Sequence, residues 1–252
     1  MAPWPVFVVA GALIGSLTGL FGVGGSSIAT PLLSLLGVPP LIAIASPLPA
    51  TLPSAVVAAI PYVRAGEARP RAAAWTLAGA IPASIVGALA SEVVGGPALL
   101  VASGAVLIAV GWRVMRPIDP AMRSRGEARR RNRPLLVAAS VGLGLFTGIL
   151  ANGGGFLLVP MYLLLFGLTM RQSAGTSLLV ISVLAIPTLI AHWSLGHIDW
   201  MVAGSFALGA VPASAVSGRF AHTVEGSRVR RAFGWFLSAS GAAFILFRLA
   251  RS

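Results

Sequence analysis

A chain of 252 residues with 57% hydrophobic and only 10% charged residues cannot cover a water-soluble fold, because soluble domains carry about 25% charged residues. All 18 basic residues are arginine, six acids oppose them, and the arginines cluster between hydrophobic segments, as the positive-inside rule describes. This clustering argues against a nucleic-acid partner despite the net charge of +12, and the lack of cysteine excludes disulfides and thiolate metal sites. The composition therefore indicates a polytopic integral membrane protein.

Eight hydrophobic segments approach the length of about 20 residues that a membrane-spanning helix needs. In chain order they are residues 6–20, 41–62, 72–91, 97–113, 135–150, 173–194, 200–220 and 232–249. Two further apolar segments, 28–36 and 156–166, are too short to cross comfortably, and they follow the first and fifth spans. The sequence predicts an all-α membrane protein of about eight spans, two of them followed by a broken or re-entrant helix.

One long polar connection divides the chain. Residues 113–133 carry eight arginines together with Pro117 and Pro120. We interpret it as a cytoplasmic linker that faces anionic lipid, with a regulatory or partner-binding loop as the alternative. The predicted organisation is a first transmembrane repeat at 1–116, an arginine-rich linker at 117–133 and a second repeat at 134–252.

The two halves are copies of one repeat. Four blocks recur in the same order at an offset of 129 or 130 residues: 18–31 with 147–160, Ala45-Ser46 with Gly175-Thr176, Gly66 with Gly196, and 79–84 with 209–214. Several matches at a nearly constant offset indicate an internal duplication.

The placement of arginine favours inverted repeats. If each glycine-rich segment is the tip of a re-entrant hairpin, each repeat crosses three times and 16 arginines fall inside, leaving only Arg248 and Arg251 outside. If each broken segment crosses once, the repeats are parallel and the arginines divide 13 against 5. The positive-inside rule prefers the inverted arrangement, which puts both termini on the outer face.

No catalytic constellation is visible in the sequence. His192, His197 and His222 fall near span ends, where we interpret them as interfacial residues, and the six acids fall in loops or at span ends. We therefore expect no enzyme activity, no metal site and no cofactor.

Two glycine-rich interruptions carry the strongest functional signal. Residues 22–27, the first glycine break, and residues 152–155, the second glycine break, interrupt apolar runs at matching positions of the repeats. Paired interruptions of this kind indicate a transporter binding site near the midplane, and the free N–H groups of the helices that start near Ser26 and Gly155 favour an anion. The alternative is that small residues only let helices pack closely.

The predicted substrate-binding residues lie in the two breaks or carry a hydroxyl or amide on the span after each break. They are Gly24, Gly25, Ser26, Ser46, Thr51, Asn152, Gly153, Gly154, Gly155, Gln172, Thr176 and Ser177. The alternative for the hydroxyls is that each satisfies its own backbone. Since no arginine lies clearly within a span, we expect neutral donors and dipoles to hold the anion weakly enough for release.

These motifs resemble the TauE/SafE family of sulfite exporter-like permeases. The likeness is carried by the repeated glycine-rich block with its following proline, by Ala-Gly-Thr-Ser at 174–177 and by Gly-His-Ile-Asp at 196–199. It covers nearly the whole chain and implies a bacterial inner-membrane exporter of sulfite, sulfoacetate or related organosulfonates. Residues 45–48 read Ala-Ser-Pro-Leu where the second repeat has Gly-Thr-Ser-Leu, a departure that argues against equal roles for the two repeats.

The expected mechanism is alternating access between two inverted halves. The expected partners are a small anionic substrate and the lipid bilayer, and a homodimer is compatible with the sequence. Three alternatives stay open: a carrier of another small anion or of a metal ion, a membrane enzyme acting on a lipid or quinone, and a non-transporting scaffold built around the linker.

Overall fold

The computed structural model describes residues 3–90, 96–116, 124–126, 128–129, 132–149 and 155–249, and the regular structure within these ranges is helical. The first half contains α1 (Trp4–Phe21), α2 (Ser26–Leu35), α3 (Pro40–Ala45), α4 (Leu48–Arg64), α5 (Pro70–Ala90) and α6 (Gly96–Met115). The second half contains α7 (Arg133–Ile149), α8 (Gly155–Pro160), α9 (Met170–Ser194), α10 (Trp200–Phe220) and α11 (Gly226–Leu249). A π-helical segment, Met161–Leu165, continues α8.

The predicted spans coincide with helices, and the two short apolar segments form the separate helices α2 and α8. The predicted span 41–62 differs, because it is made of two helices, α3 and α4, joined at Ser46 and Pro47. Pro47 and Pro49 supply no backbone N–H to an i→i−4 hydrogen bond, and this favours an interruption there.

Four stretches within the described residues are long and apolar enough to cross a membrane: Trp4–Phe21, Leu41–Arg64, Met170–Ser194 and Trp200–Phe220. Shorter apolar stretches occupy Gly104–Met115, Arg133–Phe146 and Phe156–Leu165. The all-α membrane class is therefore confirmed, whereas the count of eight spans stays a prediction. Most of the arginine-rich linker lies outside the described residues.

Helix α1 packs along α10 through small residues. Gly11, Gly15 and Gly19 recur once per turn, and a Cβ added at Gly15 would overlap the backbone of Ala210. Such stripes of small residues let two backbones approach closely within a membrane. For Gly19, this contact matches the packing interpretation, because its neighbours are Ser217 and the backbone of α10.

The same kind of contact recurs in the repeat-related pair of helices. Gly79 of α5 lies against Val137 of α7, and Gly144 of α7 lies against Ala80 of α5. Helix α7 is the repeat counterpart of α1, and α5 is the counterpart of α10. Both pairs join the two halves of the chain: α1 of the first half packs on α10 of the second, and α5 of the first half packs on α7 of the second.

Contacts along the helices give their directions. Gly11 faces Phe206 and Gly19 faces Ser214, so α1 and α10 run in the same direction. Helices α4 and α9 run in opposite directions, because Gly175 near the start of α9 packs on Tyr62 near the end of α4. The end of the bundle that holds Arg64, Arg69, Arg171 and Arg219 is called the arginine end below, and the end that holds His192 and His197 is called the histidine end.

The three largest clusters of buried side chains among the described residues lie between these helices. The largest joins α4, α8 and α9 around Tyr62, Tyr162 and Leu178. A second joins α1, α2 and α10 around Phe7 and Phe206. The third surrounds Phe21, Phe156 and Phe233. Side chains of both short helices, among them Ala29 and Leu33 of α2 and Leu158 of α8, are thus buried between the longer helices.

Candidate functional site

The first glycine break is buried against the second half of the chain. Helix α1 ends because Gly22 adopts a φ of 71°, a left-handed conformation that glycine adopts readily, and its N–H donates to the carbonyl oxygen of Thr18 at 2.9 Å. The backbone of Gly22 lies on Ala174 of α9, and a Cβ added at Gly24 would come within 3.3 Å of the Ile181 side chain. The break therefore fits closely against α9.

The structure describes only some of the other predicted site residues in the two breaks. Gly25 is buried beside Ile14 and Thr18, so its space is taken by α1 rather than by α9. Ser26 is the first residue of α2, and Gly155 is the first residue of α8. Asn152, Gly153 and Gly154 lie outside the described residues.

Two of the predicted hydroxyls join the halves of the chain. Thr176 Oγ1 donates to the carbonyl oxygen of Gln172 at 2.6 Å and accepts the backbone N–H of Arg69 at 3.1 Å. Ser46 Oγ accepts the backbone N–H of Asp199 at 3.0 Å. Ser46 and Thr176 are 130 residues apart, and so are Arg69 and Asp199. The two contacts are therefore repeat-related, and they lie at opposite ends of the bundle.

Thr51 and Gln172 also have partners within the protein. Thr51 Oγ1 donates to the carbonyl oxygen of Pro47 at 3.0 Å, so its hydroxyl satisfies its own helix. Gln172 forms a capping box with Thr169: its Oε1 accepts the Thr169 N–H at 3.3 Å, and Thr169 Oγ1 accepts the Gln172 N–H at 3.2 Å. The sequence pattern Thr-x-x-Gln at 169–172 carries this signal.

Ser177 differs from these residues in its hydrogen bonding. Its side chain is fully buried, and its Oγ has no hydrogen-bond partner among the described residues. The same holds for Ser173, one helical turn earlier on the same side of α9, and for Ser54 of α4. An unpaired buried hydroxyl costs about 1–3 kcal/mol, so three of them require an explanation. Ser173 and Ser54 were absent from the predicted site, although both lie in its hydroxyl-rich segments.

The unpaired hydroxyls of α9 adjoin the face on which the first glycine break lies. Ala174 and Ile181 mark that face, and at 3.6 residues per turn Ser173 and Ser177 lie about 40–100° around the helix from these two residues. The arrangement combines close-packed backbone with buried donors that have no hydrogen-bond partner among the described residues. A small group that accepts hydrogen bonds could use those donors without any charged side chain.

Charged and aromatic groups close the arginine end of the same helices. Arg171, on the first turn of α9, donates from Nη2 to the carbonyl oxygens of His222 and Val224, both at 3.0 Å. Tyr62 is fully buried and donates to the carbonyl oxygen of Gly19 at 2.8 Å, and its ring packs at a tilt of 52° against that of His222, with centroids 4.9 Å apart. Burial, and then the nearby Arg171 charge, lower the pKa of His222. These contacts tie α1, α4, α9 and the loop after α10 together.

Metal ligands are sparse in the described part of the chain. Within it, no group of three or more His, Asp or Glu side chains is placed to hold a metal ion. Asp199 instead caps α10, since its Oδ1 accepts the N–H groups of Met201 and Val202 at 2.9 and 3.2 Å.

Several helices long and apolar enough to cross a membrane, with an interrupted helix packed against the second half of the chain, define a multi-pass membrane protein. The chain belongs to the TauE/SafE family, because the family model described as "Sulfite exporter TauE/SafE" matches residues 7–244. Membership confirms the predicted family resemblance, the multi-pass membrane location and a transporter rather than an enzyme.

Curated relatives agree with this assignment. The chain is 26% identical to the probable membrane transporter protein YjnA of Bacillus subtilis (strain 168) over 216 residues, which cover 81% of this chain and 85% of YjnA. It is 24% identical to the probable membrane transporter protein YunE of the same organism over 243 residues, covering 87% and 88% of the two chains. A probable membrane transporter protein of Xylella fastidiosa is 33% identical over 100 residues, 39% of this chain and 38% of that protein. No solved structure matches the chain.

Proposed function

We propose that this protein exports small sulfur-containing anions, sulfite or an organosulfonate such as sulfoacetate, across the bacterial inner membrane. The observation that carries the proposal is the buried first glycine break, which lies on α9 beside the unpaired hydroxyls of Ser173 and Ser177. The family description names sulfite, whose oxygens are hydrogen-bond acceptors for such donors.

In this proposal, neutral groups bind the anion. The hydroxyls of Ser173 and Ser177 donate to its oxygens, and the backbone near Gly24 and Gly25 forms the wall of the site opposite α9. The internal repeat predicts the same role for the second glycine break, with Asn152, Gly153, Gly154 and Gly155. Ser26 stands at the start of α2, where backbone N–H groups without helical partners favour negative charge.

The proposed mechanism is alternating access between two inverted repeats. Helices α4 and α9 are repeat counterparts, and their opposite directions support the inverted relation. Ser46 and Thr176 provide one hydroxyl contact between the halves at each end of the bundle. We infer that the Thr176 contact opens when the site faces the arginine end and the Ser46 contact opens when it faces the histidine end. The arginine end faces the cytoplasm in this proposal.

The membrane potential suffices to drive the export of an anion. A cell that is negative inside pushes each negative charge outward with about 2.3 kcal/mol per 100 mV. Uniport is therefore enough, and the mechanism needs no buried carboxylate to carry a coupling proton.

The test is flux of radiolabelled sulfite and sulfoacetate in proteoliposomes that hold the purified protein under an imposed potential. We expect saturable, potential-dependent flux of at least one anion in the wild type. The variant Gly24→Leu should lose it, because the new side chain must enter space beside Ile181, whereas Gly204→Leu should keep it, because a Cβ at Gly204 has no neighbour within 4 Å. No flux of either anion beside a working control carrier would exclude both substrates, and equal flux in the two variants would exclude the site.

A further inference from the structure

The last turn of α9 places two histidines against each other. The helix ends at Ser194, and Gly196 reverses the chain with a φ of 70°. The Gly196 N–H donates to the carbonyl oxygen of Trp193 at 3.0 Å, and the His197 N–H donates to that of His192 at 3.1 Å. This pair of hydrogen bonds is a Schellman motif, in which the two residues joined by the outer bond commonly make an apolar side-chain contact. Here both residues are histidines.

The imidazoles meet through their Nδ1 atoms. The two Nδ1 atoms are 3.3 Å apart, and the ring centroids are 5.5 Å apart. Two nitrogen ligands of a tetrahedral zinc ion, each about 2.0–2.1 Å from the metal, are separated by about the same distance. In the absence of a metal, one ring can donate an Nδ1 hydrogen to the other, and a small rotation of each ring converts that contact into a chelate.

Aromatic side chains flank the pair, and Asp199, the nearest acid along the sequence, caps a helix. Trp193 and Trp200 pack edge to face, with centroids 5.9 Å apart, across the same loop. Asp199 is committed to capping α10 through Oδ1. The repeat-related turn in the first half has the same backbone hydrogen bonds but carries Tyr62 and Glu67, so the paired imidazoles exist only at the histidine end.

We propose that His192 and His197 together bind one divalent transition-metal ion through their Nδ1 atoms, with water completing the coordination. Imidazole ligands suit Zn²⁺, Cu²⁺ and Ni²⁺, and two of them without a carboxylate do not suit Mg²⁺ or Ca²⁺. A bound ion links the end of α9 to the loop at 195–199. Because Asp199 of that loop donates to Ser46, the ion also restrains the hydroxyl contact between the halves at this end.

The binding test uses the full-length protein in detergent, purified with a tag that contains no histidine, and titrated with zinc chloride in a calorimeter. We expect one Zn²⁺ per chain, with the saturable signal lost in His192→Gln and in His197→Gln. The matched control is His222→Gln, because the third histidine of the chain lies at the arginine end. Melting temperatures without zinc show whether each variant is folded, and Zn²⁺ should raise the melting temperature only in the wild type and the control.

Two results would overturn the site: no zinc binding by the wild type, or equal binding by all three variants. A second experiment measures transport and rests on the proposed function, whereas the zinc titration does not. In proteoliposomes, Zn²⁺ on the side of the histidine end should slow flux in the wild type and in His222→Gln but not in His192→Gln. Equal slowing in all of them would refute the restraint at this turn.

Discussion

Replacing Ser177 by alanine distinguishes a ligand-binding hydroxyl from a structural one. The two roles predict changes of opposite sign in the free energy of unfolding. The hydroxyl is buried without a partner among the described residues, so its removal should raise the free energy of unfolding by about 1 kcal/mol. If the same hydroxyl donates to a bound anion, the variant loses a hydrogen bond to a charged group, worth about 1.5–3 kcal/mol. At 1.4 kcal/mol per factor of ten, the apparent affinity should fall by about tenfold to about 150-fold.

Both quantities can be measured on one preparation. Thermal unfolding in detergent gives the stability, and concentration-dependent flux in proteoliposomes gives the KM. The matched control is Ser140→Ala on α7, since Ser140 is equally buried but donates to the carbonyl oxygen of Leu136 at 2.7 Å. We expect that control to leave the KM unchanged.

The reasoning would be refuted by a Ser177→Ala protein that is less stable than the wild type and transports with an unchanged KM. That outcome would mean that Ser177 bonds to the protein itself, and the unpaired hydroxyls would then no longer support an anion site. A higher stability with an unchanged KM would also remove Ser177 from the site while leaving the rest of the proposal in place.

The remaining predictions concern contacts between the halves. Thr176→Val and Ser46→Ala should each lower the free energy of unfolding by about 1–3 kcal/mol, because each leaves a backbone N–H in a loop of the other half without its acceptor. Fluorescence-detected melting measures the loss. No loss in either variant would contradict a role of these hydroxyls in joining the halves. Gly15→Leu should destabilise the bundle by about 1–3 kcal/mol or more, since even a Cβ at this position overlaps the backbone of α10. The control Gly142→Leu should melt as the wild type does, because a Cβ there has no neighbour within 4 Å. Equal melting temperatures for the two variants would argue against close packing of α1 on α10.

The positions of the helices could be predicted from the sequence, because a long apolar run reports directly on a membrane environment. The break within 41–62 was harder to place, since prolines also occur inside continuous helices. Pro82 and Pro187 lie within α5 and α9 without ending them, whereas Pro47 separates α3 from α4. A local pattern cannot distinguish these cases, because neighbouring elements decide whether the freed backbone groups are satisfied.

The candidate site could be predicted only in part. The polar residues of α9 stood out in an apolar span, but their partners did not, because Thr176 bonds to a loop 107 residues away and Ser46 to one 153 residues away. No periodicity along one segment reports such contacts. The histidine pair had a local signal that is easily passed over: a glycine directly before His197 and four residues after His192 is the spacing of a Schellman turn.

The packing of α1 on α10 has a consequence for how the protein is made. The glycine stripe of α1 finds its partner only when α10 has been synthesised, about 200 residues after α1 ends. At about 5–20 residues per second, this delay lasts roughly 10–40 s. During that time the face of α1 that will contact α10 must be covered by lipid, by the insertion machinery or by a temporary neighbour. Assembly of the first half is therefore completed only late in translation, and a chain truncated before α10 leaves α1 without its main packing surface.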